Sequence, residues 1–142
     1  LLFFPGVELP QNGWYRPRRL QGGEYRPISA TASLKVSAGS LRLAFVNWYP
    51  HLGCMDITVL LNGKPIASVS ATDRREIIVA VQDGNMEFRA NRVFDADQTG
   101  EQADFGGWIR VRPLGVPLAA GTIASATKTN RLLDNRKWLS TG

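Results

Sequence analysis

Asn62-Gly63 and Asp83-Gly84 each stand between apolar-rich runs, and they constrain the fold of this chain more than any other feature. Both pairs accept the positive φ angles of the tight turn that joins two antiparallel strands. The apolar residues around them alternate. Ile28, Ala30, Ala32, Leu34 and Val36 interleave with Ser29, Thr31, Ser33, Lys35 and Ser37, a period of two that predicts a strand with one wet face. Leu41 to Tyr49 is a second, more apolar strand, expected to be covered on both faces from Phe45 to Trp48. Ile57, Val59 and Leu61 line a third, which Asn62-Gly63 turns into a fourth over 64–70. Pro65 removes a ladder donor, so the fourth strand begins at an edge or pairs only beyond Pro65. Glu76 to Val81 is a fifth strand, and Asp83-Gly84 is expected to fold it back onto a sixth through Met86, Phe88 and Ala90. Trp108 to Val111 makes a seventh, stopped by Pro113.

Seven strands separated by turns predict an all-β fold, an antiparallel β-sandwich of Ig-like or jelly-roll type over 28–112. A chain of 142 residues suffices for one such core. The flanks read differently. Residues 1–27 carry Pro5, Pro10, Pro17 and Pro27 with several glycines, and proline fixes φ and lacks an N–H. An extended N-terminal arm with one or two short edge pairings is expected there, and no central strand. Residues 113–142 form a C-terminal arm, in which Thr129 or Asn130 is placed to cap a short helix through Leu132 and Arg136 to Leu139.

The formal net charge of +5 is spread unevenly. Over 11–42, Arg16, Arg18, Arg19, Arg26, Lys35 and Arg42 face only Glu24. Lys128, Arg131, Arg136 and Lys137 face only Asp134 in the tail, while the middle holds more acids than bases. Leu1 to Phe4 is too short to cross a bilayer, so no membrane span is expected. The absence of an initiator Met reads as a processed or trimmed product.

Little in the chain suggests catalysis. His51 and Cys54 share one loop, yet nothing nearby supplies an oxyanion hole, and two ligands do not make a structural zinc site. A lone thiol such as Cys54 is expected to be buried as a small apolar group. Asp95-Ala96-Asp97-Gln98-Thr99-Gly100-Glu101 starts like a calcium loop, but Gly106 stands where a bidentate glutamate is needed. Asp104 offers a further carboxylate. A solvated acidic loop is the expectation, and no metal, cofactor, small-molecule substrate or enzymatic activity is assigned.

The arms carry the functional expectation. Aromatic and basic residues interleave at 14–19, a composition suited to an interface core or to nucleic acid. The leading reading is a non-enzymatic structural subunit of a repeated assembly, such as a virion or phage shell, a phage tail or an extracellular filament. Its contacts with other copies would use Leu1, Phe3, Phe4, Trp14, Tyr15, Arg16, Arg18, Arg19, Arg131, Arg136 and Trp138. Leu1 to Phe4 is suited to adding a strand to a neighbour's sheet, and Trp14 is read as an anchor not needed inside the sandwich. One alternative is a carbohydrate-binding module, with Trp48, Tyr49 and Trp108 as a stacking surface and calcium in the acidic loop. Nucleic-acid binding through the basic arms is a third reading.

Overall fold

The computed structural model describes residues 10–20, 23–114 and 123–125. Ten strands occur among them: β1 (Pro10–Trp14), β2 (Arg18–Leu20), β3 (Gly23–Val36), β4 (Gly39–Val46), β5 (Met55–Leu61), β6 (Lys64–Ala71), β7 (Arg74–Val81), β8 (Gly84–Ala90), β9 (Gly107–Pro113) and β10 (Ile123–Ser125). A 3-10 turn at Pro50–Leu52 and a single helical turn, α1 (Ala96–Thr99), complete the described chain. No helix there is long and apolar enough to cross a membrane. All pairings are antiparallel, and the order β10-β7-β4-β9-β3-β8-β5-β6 forms one sheet nearly closed into a barrel-like sandwich.

The long strand β3 makes the roll. Its first part, at Arg26–Ile28, pairs with β9, and its second, at Thr31–Val36, pairs with β8. One layer is therefore β10-β7-β4-β9 with the start of β3, and the other is the rest of β3 with β8-β5-β6. From β3 to β9 each connection crosses between layers, except the β5–β6 hairpin. Of the two topologies left open by the sequence, this is the jelly-roll order.

The two turn dipeptides do different work. At the β5–β6 hairpin Leu61 stands opposite Lys64, and Asn62 (φ 52°) and Gly63 (φ 81°) both take positive φ. Asp83-Gly84 does not close a hairpin, because β7 pairs with β4 and β10 while β8 pairs with β3 and β5. Neither residue has a positive φ. Gly84 is needed for space instead, since a Cβ there would collide with the Asn62 side chain. That side chain accepts the Asn85 N–H at 2.9 Å, and Asn62 N–H donates to Asn85 O at 2.8 Å.

The seven strands read over 28–112 correspond to β3 to β9, and β6 lies at the end of the path as Pro65 requires. The other three come from segments assigned to the arms. β1 and β2 both pair with β3, so the N-terminal segment from Pro10 lies on its own body. Moreover, a central strand does run through Pro27. It stands opposite Trp108, and its carbonyl accepts the Tyr15 N–H at 3.0 Å, so the missing donor costs one ladder bond only. The helix expected near Leu139 lies outside the described residues.

Between the layers Leu34, Leu43, Phe45, Ile57, Val59, Val79, Met86, Phe88, Ile109 and Val111 are fully buried. Phe45 and Phe88 meet edge to face across the gap, with centroids 6.2 Å apart. Trp14 joins them from β1, 5.8 Å from Phe88, and its indole donates to Ser33 O at 2.8 Å. Trp14 thus has a place in its own sandwich, contrary to the expectation of an unneeded anchor.

Candidate functional site

The hydrophobic core extends beyond the two layers, onto the outer face of the β7-β4-β9 layer. Along β9 the side chains alternate, so Ile109 and Val111 point inward while Trp108, Arg110 and Arg112 point outward. An outward tryptophan needs a cover, and Trp108 is fully buried. The acidic 95–104 loop provides part of it. Phe94 and Phe105 pair across the loop's neck in an isolated bridge, and their rings lie 5.6 and 5.8 Å from Trp108. Trp48 stacks on Trp108 at 5.9 Å with 29° between planes, and Tyr49 tilts against it at 5.7 Å.

The N-terminal segment closes this cluster with a latch. Arg18 donates to both oxygens of Glu101, at 2.8 and 2.7 Å, and the Tyr49 hydroxyl donates to the same carboxylate. The Arg18 guanidinium also lies 5.2 Å from the Phe105 ring and 5.9 Å from Trp48. A forked guanidinium on a carboxylate is the strongest common ion pair. The Arg18 hydrogen bonds, aided by Tyr49, hold Glu101 down at about 2. Glu101 in turn raises Arg18, while burial and Glu101 raise Tyr49. All three keep one protonation state near neutral pH, which suits fixed structural charge and not proton transfer.

Asn47 and Arg92 support this end, and sequence reasoning assigned neither a role. Asn47 is buried; its amide donates to Gly53 O and Ala71 O at 2.7 and 3.3 Å, and its Oδ1 accepts the Tyr49 N–H at 3.0 Å. A polar residue inside the apolar run 43–49 was the available signal. Arg92 lies over Phe94 at 4.3 Å and donates to Leu52 O and Cys54 O.

The predicted interface residues separate into three groups. Trp14 and Arg18 are used within the chain, and Tyr15, 36% exposed, sets its ring edge against Phe105 at 5.0 Å. Arg16 and Arg19 are exposed. Leu1, Phe3, Phe4, Arg131, Arg136 and Trp138 lie outside the described residues. Cys54 is exposed, which corrects the expectation of a buried thiol. It precedes β5 in a loop, and its Sγ lies 3.4 Å from Thr72 Oγ1.

The geometry leaves little for the sugar and calcium alternatives to use. Trp108 has no surface to offer a sugar. Glu101 is occupied by Arg18, and Asp104 Oδ1 accepts the Ala96 N–H at 2.8 Å. Among the described residues no three His, Cys, Asp or Glu side chains group as a metal site. No protein family model matches this chain, and no significant similarity joins it to a curated protein or a solved structure.

Proposed function

We propose that this chain is a non-enzymatic structural subunit of a repeated assembly, such as a virion or tail shell or an extracellular filament, joining copies by strand addition. One observation carries the reading: among the described residues β6 pairs only with β5, so one backbone edge of the roll is open. An open edge presents N–H and C=O groups as a template for another chain. Lys64 and Pro65 protect its first residues, while Ile66 to Ala71 carry no charge. Leu1 to Phe4 is the apolar segment suited to that edge.

The described part of the N-terminal arm, from Pro10, is held by its own sandwich. The arms' contacts with other copies would therefore use Leu1, Phe3, Phe4, Arg131, Arg136 and Trp138, with Arg16 and Arg19, which are exposed. Jelly rolls recur in capsid domains, a supporting argument by fold analogy alone. Light scattering after size exclusion tests the proposal. The full chain is expected above monomer mass, and a chain starting at Pro10 is expected to be smaller. A full chain that stays monomeric as concentration rises would overturn it.

A further inference from the structure

The two outer faces of the roll carry charge differently. On β3, β8 and β5 the outward positions hold Lys35 and Arg89 against Asp56 and Glu87, and Arg89 pairs with Glu87 at 3.3 Å. That face is balanced. On β7, β4 and β9 the outward positions hold Arg74, Arg42, Arg110 and Arg112 against Glu76 alone. Every cation on those strands is an arginine.

Three of these arginines gather at the end away from Trp108. Arg42 stands directly opposite Arg112, and Arg110 lies two residues along β9. Arg42 and Arg112 are exposed, while the Arg110 side chain is only 11% exposed. Its guanidinium lies 5.0 Å from the centre of the Tyr25 ring, and Gly23 leaves it room, since a Cβ there would meet Arg110 Nη1. Like charges directly opposite in neighbouring strands destabilise a sheet. Glu76 offsets part of this, with its oxygens 4.0 Å from Arg42 Nε and 3.7 Å from Arg110 Nη2. Burial lowers the Arg110 pKa, and Arg112 and Arg42 add to this against the opposite pull of Tyr25 and Glu76. Among the described residues no carboxylate pairs with Arg112 or Arg74. Arg74 lies apart, following Asp73 and level with Trp108, which the acidic 95–104 loop covers. The positive field is therefore strongest around Arg42, Arg110 and Arg112.

We infer that these three arginines bind the phosphate backbone of a single-stranded nucleic acid laid across β4 and β9. Guanidinium forks grip phosphate by paired hydrogen bonds, and phosphate supplies the anion that the opposed arginines lack. A protein interface has an apolar core depleted of charge. Here the outward apolar residues Ala44, Val46, Ala80 and Trp108 are buried, and Ile78 is half-buried. A flat sheet has no element to insert into a duplex groove, whereas a single strand can lie on it. The inference goes beyond assembly and does not require it, although a repeated array multiplies a weak single contact.

Fluorescence anisotropy of a labelled oligothymidylate with the full chain tests the site. Three neutralised phosphates predict a salt slope of about −2, so affinity should fall about twentyfold from about 50 to 200 mM salt. Arg42→Gln with Arg112→Gln is expected to weaken binding about tenfold or more and to bring the slope to about −0.7. Glu76→Gln is expected to strengthen binding about threefold, an effect that misfolding cannot mimic. Lys35→Gln with Arg89→Gln, on the balanced face, should leave affinity within about twofold. Circular dichroism checks each fold, and Arg112→Gln alone stands in should the double variant unfold. Equal losses from the two faces overturn the inference, because they report net charge only. So does binding that survives the Arg42 and Arg112 changes and is lost in Arg131→Gln with Arg136→Gln, which places the nucleic acid on the C-terminal arm. Equal affinity for polyglutamate or for vesicles of anionic lipid also overturns it. Assembly without nucleic-acid binding at low salt removes this site and leaves the structural subunit standing. Binding by a chain that stays monomeric does the reverse.

Discussion

The two ends of the roll are held by different means. At one end the turns around Ala38, Asn62 and Asp83 converge, and short side chains join them: Asp83 Oδ1 accepts the Ala38 N–H at 2.6 Å, and Asn62 Oδ1 accepts the Asn85 N–H. At the other end a long loop, the residues Trp48 and Tyr49 and the N-terminal segment enclose Trp108 through four aromatic rings and one ion pair. The first end uses residues chosen for turn geometry and small size. The second extends the hydrophobic core outward, so it carries more of the stability and depends on more distant partners.

Removing Trp108 should break the contrast most severely. Trp108→Ala is expected to cost about 3–5 kcal/mol in urea unfolding, because the loop rings lose their shared neighbour. A cost under about 1 kcal/mol would mean that the loop end is dispensable. Next, Asn47→Ala leaves the Gly53 and Ala71 carbonyls and the Tyr49 N–H without their partner, and an expected loss of about 1–3 kcal/mol follows. Gly84→Ala probes the turn end. The added methyl displaces the Asn62 side chain and should cost about 1 kcal/mol, the worth of its hydrogen bond. An effect as large as that of Trp108→Ala would erase the difference between the ends.

The smallest expected effect is electrostatic. Glu101 is held below its ordinary value of 4.5, at about 2, so its pairing stabilises the fold fully above pH 4.5 and fades as the pH falls towards 2. Arg18 is one-third exposed, and screening limits the contribution to about 1 kcal/mol. Thermal melts of the parent chain and Glu101→Gln should differ at neutral pH and converge in acid. A gap that persists unchanged at about pH 2 would show that the carboxylate's charge is not what holds the latch.

Those features legible in the sequence were local ones. Alternation from Ile28 to Val36 marked a strand, Asn62-Gly63 marked a hairpin, and Pro65 marked an edge. Asp83-Gly84 misled because a dipeptide reports a change of direction and not which strands pair afterwards. Pro27 misled because a proline's lost donor matters less when its carbonyl still finds Tyr15. Trp48, Tyr49 and Trp108 were legible as aromatic, but not which of them a loop would bury. Arg18 and Glu101 are separated by 83 positions, and no local pattern connects residues that far apart. Their charge types were visible, an arginine-rich arm and a loop without bases, while their pairing belongs to tertiary structure.

The 14 residues of β3 give both layers their starting strand, and this has a consequence for biosynthesis. The strands β1 and β2 precede it and pair with it. Its partners β8 and β9, however, emerge from the ribosome long after it, so the nascent chain must carry a ribbon with open edge positions while more than half of the described body is still being made. Such non-local pairing makes folding slow, and a waiting ribbon invites aggregation. Ser29, Thr31, Ser33 and Lys35 keep one side of that ribbon hydrophilic throughout the delay, which opposes its aggregation.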